Sequence, residues 1–139
     1  MDRQPIILIV DKSHSDVELI QDAFLELGLR ADFLLAYDGE QALMLLRDGQ
    51  RRPDFIILEL NLPSPDGREL LAWIKSHAEL KRIPTVVLTT SSDEADIAAC
   101  FDLSANGYIV KPPRWEDFVD VIRSLQQFWF STARLTDSE

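Results

Sequence analysis

Pro53-Asp54-Phe55-Ile56-Ile57-Leu58-Glu59 runs directly into Leu60-Asn61-Leu62-Pro63-Ser64-Pro65-Asp66-Gly67. Phe55 to Leu58 is wholly apolar and short, as a strand buried on both faces of a parallel sheet should be. The stretch from Asn61 to Gly67 holds two prolines and a glycine, so it is a structured loop. Glu59 therefore stands where an apolar strand ends and a shaped loop begins.

Four further runs have the same character: Ile6 to Val10, Ala31 to Ala36, Pro84 to Thr89 and Asn106 to Val110. Between them lie amphipathic stretches, such as Val17, Ile20, Phe24 and Leu27, or Phe118, Val121 or Ile122, Leu125 and Phe128, at helical spacing. Ser15 before Glu18, Asp38 before Gln41 and Ser91 before Glu94 have the spacing of capping boxes. Five strands alternate with five helices, which predicts parallel strands joined by right-handed crossovers with helices on both faces. Ile6 to Val10 and Phe55 to Leu58 suit the centre of the sheet, and the less uniform Asp32 to Tyr37 suits an edge. The fold class is a doubly wound, flavodoxin-like α/β domain with strand order 2-1-3-4-5. Ligands of such sheets sit beyond the carboxyl ends of the strands at the point where strand order reverses, which selects Asp11, Lys12, Glu59, Thr89 and Lys111.

The 139 residues suit one domain, read as 1–130 with a polar tail at 131–139. A formal charge of −10 repels nucleic acid and anionic membrane surfaces. Apolar runs near five residues are far below the ~20 of a membrane span, and the amino-terminal stretch has no secretory pattern. Cys100 is the only cysteine, which excludes an internal disulfide and suits a reducing cytoplasm.

The motifs at the strand ends resemble the receiver domain of bacterial two-component response regulators. The resemblance runs from Ile6 to about Phe130. It is carried by Ile9-Val10-Asp11 with Asp16-Val17, by Pro53 to Leu58 with Asn61-Leu62-Pro63 and Asp66-Gly67, by Ile83 to Thr89, and by Ala105 to Pro112. The Asn61-Leu62-Pro63 loop and the ending Phe128-Trp129 are most similar to single-domain regulators that partner phytochrome-type histidine kinases. The resemblance implies phosphoryl transfer from a kinase histidine to an aspartate after strand three, with Mg²⁺ held by that aspartate and an acidic pair after strand one.

This chain departs from that pattern twice. Asp11 is the first member of the acidic pair, but Lys12 stands where the second carboxylate belongs, and Glu59 stands at the phosphoacceptor position. Thr89, Tyr108 and Lys111 match the phosphate-contacting hydroxyl, the aromatic switch and the phosphate-binding lysine of the family. Asp11, Glu59, Lys12 and Lys111 balance in charge, so the pull on a divalent ion is gone, and an ammonium offers a metal no lone pair. Lys12 is expected to pair with Glu59 or Asp11. The extra methylene of Glu59 misplaces the carboxylate, and an error of ~1 Å costs about a hundredfold in rate.

The expectation is thus a stand-alone pseudo-receiver with no enzymatic activity and no Mg²⁺ site. It would act through histidine kinase or other protein partners and form a homodimer through the face of helix four, strand five and helix five. Phe128, Trp129 and Phe130 are the candidate interface, on a helix expected from about Arg114 to Thr132, because consecutive aromatics point around much of a helix. A rival reading keeps inefficient phosphorylation at Glu59 or Asp66. An FMN-type electron carrier is disfavoured by the absence of glycine in Asp11-Lys12-Ser13-His14-Ser15.

Overall fold

A computed structural model describes residues 4–132, with only the backbone of 131 and 132. The elements alternate as expected: β1 (Ile6–Val10), α1 (His14–Glu26), β2 (Asp32–Ala36), α2 (Gly39–Asp48), β3 (Phe55–Leu58), α3 (Gly67–Lys75), β4 (Thr85–Thr89), α4 (Glu94–Asp102), β5 (Gly107–Val110) and α5 (Trp115–Gln127). All strand pairs are parallel and the order is β2-β1-β3-β4-β5.

Side-chain alternation along each central strand divides the core in two. Ile7 and Ile9 of β1 face Val17, Ile20 and Phe24 of α1 and Phe118 and Ile122 of α5. Leu8 and Val10 face the other way, onto Leu43 and Leu46 of α2, Leu70 and Ile74 of α3 and Cys100 of α4. Each fully buried Leu, Ile or Phe contributes roughly 1.5–3 kcal/mol, so β1 and β3 anchor both layers.

The helix starts differ from the sequence reading at three places. Ser13, not Ser15, caps α1 by accepting from Asp16 N at 3.1 Å. Asp93, not Ser91, caps α4. A full capping box unread in the sequence opens α3, where Asp66 and Glu69 each accept the other's backbone N–H at 2.9 Å. Asp38 does cap α2, but Gln41 reaches back to Tyr37 N and not to Asp38 N.

The helix expected from about Arg114 to Thr132 is continuous over nearly that span but changes type near its end. α5 ends at Gln127 and passes into a π-helical turn, Phe128–Thr132. Widening the helix there turns Trp129 and Phe130 inward. Phe130 meets Phe55 at 5.2 Å and Phe24 at 6.2 Å between ring centroids, and Trp129 meets Phe55 at 5.6 Å. Of the candidate interface only Phe128 is exposed, at 52%. The rest of the expected tail, from residue 133 on, lies outside the described residues.

Candidate functional site at the carboxyl edge

Three backbone hydrogen bonds fix the edge. Asp11 N donates to Ala36 O, Glu59 N to Val10 O and Lys111 N to Thr89 O, at 3.0, 2.9 and 2.7 Å. Asp11, Glu59 and Lys111 therefore leave three different strands at one level. The Lys111 ammonium donates to Asp11 Oδ2 at 2.6 Å, Asp16 Oδ2 at 2.7 Å and Glu59 Oε1 at 2.9 Å. Its side chain is 7% exposed, as is that of Glu59, and that of Asp11 is 3%.

The remaining oxygens of the two buried carboxylates are also engaged. Asp11 Oδ1 accepts from Ser13 N at 2.9 Å and Glu59 Oε2 from Asn61 N at 3.0 Å. The Asn61 amide is available because the Asn61–Gly67 loop folds back, with Gly67 N on Leu60 O. A side chain on Gly67 would run into Glu59 O and Leu60 Cα, so glycine is what allows α3 to begin against the pocket floor.

Lys12 is the correction that matters most. It is exposed and forms no ion pair with any described residue, so it does not hold Glu59 or Asp11. Lys12 lies in the bend between the end of β1 and the start of α1, where its side chain stays in solvent. Its place in the charge count passes to Asp16, on the first turn of α1. Three carboxylates against one ammonium leave the cluster at a formal −2 instead of neutral.

The protonation equilibria follow from this crowding. Burial raises the Asp11 carboxyl above its usual value, opposed by the hydrogen bonds from Lys111 and Ser13 N and reinforced by the Glu59 charge. Burial also works against the Lys111 ammonium, but its bonds to Asp11, Asp16 and Glu59 outweigh that and hold it well above the usual lysine value. Each contact at ~3 Å amounts to roughly 5 kcal/mol of gross attraction at an effective dielectric of ~20, before desolvation is subtracted.

Thr89 is buried at the end of β4. The Tyr108 hydroxyl donates to Ser91 O at 2.9 Å, and Ser91 Oγ donates to Asp96 Oδ2 at 2.6 Å. Asp96 is in turn paired with Arg68 of α3. The aromatic residue of β5 is thus tied through the β4–α4 loop to both α4 and α3.

The family profile of the response regulator receiver domain matches residues 7–123. The chain belongs to this family. Response regulator Rcp1 of Synechocystis is 37% identical over 135 residues, spanning 94% of this chain and 92% of Rcp1. The structure of the phosphorylated cyanobacterial phytochrome response regulator RcpA superposes with a TM-score of 0.92 at 39% identity, covering 97% of this chain and 100% of RcpA. The Mn²⁺-bound form of Rcp1 gives 0.89 at 36% identity, over 96% and 99% of the two chains. Receiver domains work in two-component signalling, where histidine kinases and other signalling proteins are their partners, and they bind Mg²⁺ or Mn²⁺ at the phosphorylation site.

In this structure the carboxylates of the pocket face an ammonium. Carboxylates are the right ligands for a hard dication, but here one oxygen from each of the three converges on the Lys111 ammonium, and Mg²⁺ would need ~2.0–2.1 Å to several of the same atoms. Among the described residues no group of three His, Cys, Asp or Glu side chains is arranged to hold a metal. The peptide bond from Lys111 to Pro112 is trans; the cis bond among the described residues is Ser64–Pro65.

Asp16 was missed as a pocket residue, although its signal was present. Once Ser13 is the cap, Asp16 is the third helical residue, and its side chain leans back toward the helix start and the β1 edge. Reading Ser15 as the cap put Asp16 in the wrong place. No described helix is long and apolar enough to cross a membrane.

Proposed function

We propose that this receiver is a pseudo-receiver: a cytoplasmic interaction module whose pocket holds an internal ammonium in place of a metal ion and which takes no phosphoryl group by the usual route. The single observation that carries the reading is the Lys111 ammonium seated on Asp11, Asp16 and Glu59, with every oxygen of Asp11 and Glu59 already accepting a hydrogen bond. Phosphoryl transfer consists mainly of alignment and charge neutralisation, and both resources are spent here on an internal contact. The family lysine, expected to meet phosphate, is occupied by the chain's own carboxylates. Output is then binding, with no enzymatic step.

The partner is a histidine kinase, of phytochrome type by analogy with RcpA, or another signalling protein. A second copy of the chain docks on the face of α4, β5 and α5, where Phe101 is 51%, Val110 40% and Trp115 37% exposed on three successive elements. Phe128 extends that apolar surface, whereas Trp129 and Phe130 are half-buried against the core.

Incubation with Mg²⁺ and acetyl phosphate followed by intact-mass measurement tests the pocket. The parent is expected to gain no phosphoryl mass, and the Lys12→Asp, Glu59→Asp double variant to gain one. A stable adduct on the parent would overturn the reading in favour of inefficient phosphorylation. Asp66 is a poor substitute acceptor, because Oδ1 of its carboxylate is committed to capping α3. Sedimentation of the parent against Phe101→Lys tests the dimer, which the variant should dissociate.

A further inference from the structure

At the amino edge of the sheet, opposite the carboxylate cluster, a cavity of about 350 Å³ is lined by Lys75, Lys81, Arg82, Ser104 and Asn106. It brings together the end of α3, the α3–β4 connection and the α4–β5 turn. In a chain with 24 acidic and 14 basic residues, three cations share this cavity and none has a carboxylate within ion-pair distance among the described residues.

The side chains lining the cavity bring to it three cations, a hydroxyl and a carboxamide. Lys75 Nζ gives its three hydrogens to Lys81 O at 3.1 Å, Ile83 O at 3.1 Å and Asn106 Oδ1 at 2.9 Å. Its charge is held in place but not neutralised, and burial lowers its affinity for the proton. Asn106 Oδ1 also accepts from Thr85 N at 2.8 Å. Neither Lys75 nor the Thr85 amide can accept a hydrogen bond, so the oxygen must face them, and the amide nitrogen is left with its two donors unused. Lys81, Arg82 and the Ser104 hydroxyl have no side-chain partner among the described residues. Ser104 is held at φ 71°, in the left-handed region that favours glycine, by the turn that ends α4.

A cationic recess rich in hydrogen-bond donors is complementary to an anion with several acceptor oxygens. Its volume is at the lower end of the ~300–1,000 Å³ of small-molecule sites. Arg82 supplies a planar fork and Lys81 a mobile point charge, the pair suited to phosphate oxygens. We propose that this amino-edge cavity is a binding site for a small phosphate-class anion, a phosphate ester or diphosphate, gripped by Arg82, Lys81, Ser104 and the Asn106 amide, with Lys75 supplying fixed positive charge. The site lies across the sheet from Lys111 and stands or falls independently of the pseudo-receiver reading.

The probe is inorganic pyrophosphate, titrated into the full chain at constant ionic strength while backbone amide resonances are followed by NMR. Saturable shifts are expected at Ser104, Asn106 and Gly107, with orthophosphate binding more weakly. The Lys81→Ala, Arg82→Ala double variant changes exposed side chains only, so it stays folded, and it should weaken binding by about tenfold or more, equivalent to about 1.4 kcal/mol. Three results would overturn the site: no saturable shift, unchanged affinity in the double variant, or equal response to sulfate and pyrophosphate, which would mark an adventitious ion only.

Discussion

Lys111 and Lys75 make the same number of hydrogen bonds from opposite ends of one sheet, and their chemistry diverges because of what accepts them. Lys111 meets three carboxylates and is held charged well above the usual lysine value. Lys75 meets two backbone carbonyls and one amide oxygen, and burial lowers its pKa with nothing to oppose it. The carboxyl edge has used its cation internally, and the amino edge has left its cations open. Geometry alone would call the two sites alike; partner charge decides which is a lock and which a receptor.

The sharpest way to break this contrast is Lys111→Met. Removing one partner from a buried ionic cluster leaves uncompensated carboxylates, a loss of about 3–5 kcal/mol in urea unfolding at neutral pH. Mg²⁺ should then raise the midpoint of the variant and leave the parent unmoved, since vacating the seat leaves three carboxylates facing one point. A loss below ~1 kcal/mol, within the range of an exposed pair, would mean that the cluster is not the organising feature of the edge.

Gly67→Ala comes next. The new methyl group would press on Glu59 O and Leu60 Cα, both backbone atoms of the pocket floor, and over-packing of this sort costs about 1–3 kcal/mol. The amide resonances of Asn61 and Glu59 should shift while those of Ser104 and Asn106 stay in place. Shifts at both edges would show that the two sites are mechanically joined. Lys75→Met should cost less, under about 2 kcal/mol. The buried Ile83 carbonyl loses a donor, but Lys81 O is open to water and Asn106 keeps Thr85 N, while the penalty of the buried charge disappears.

The sequence reading succeeded where periodicity speaks and failed where a single torsion decides. Phe55 to Leu58 and Ile6 to Val10 announce central strands, and that places Asp11, Glu59 and Lys111 on one edge. Which of two lysines would enter the pocket was not written in their spacing. Lys12 is adjacent to Asp11 in sequence but stays exposed with no ion partner among the described residues, and Lys111 is distant in sequence but enters the pocket from the end of β5. Asp16 turned on a cap misread by two residues, Ser15 for Ser13. The ending Phe128-Trp129-Phe130 looked like a surface cluster because a regular helix would have splayed it; along a π-turn, which no residue pattern signals, two of the rings pack half-buried against the core.

The smallest effect is also the most discriminating, because it compares the two lysines by sign. Lys111 has a raised folded-state pKa, so its contribution is fully present below the usual 10.5 and is lost only as pH climbs through the higher folded value. Lys75 has a lowered one, so between its folded value and 10.5 the unfolded chain binds the extra proton and stability rises with pH. Unfolding free energies of the parent, Lys75→Met and Lys111→Met, taken from about pH 8 upward, give two difference curves in which other titrating groups largely cancel. Parent minus Lys75→Met should rise toward 10.5 and then level off. Parent minus Lys111→Met should stay level to 10.5 and fall beyond it. Curves of the same sign would mean that the neutral oxygens around Lys75 stabilise its charge as the carboxylates around Lys111 do, and the amino-edge cations would then have no unmet charge with which to draw an anion.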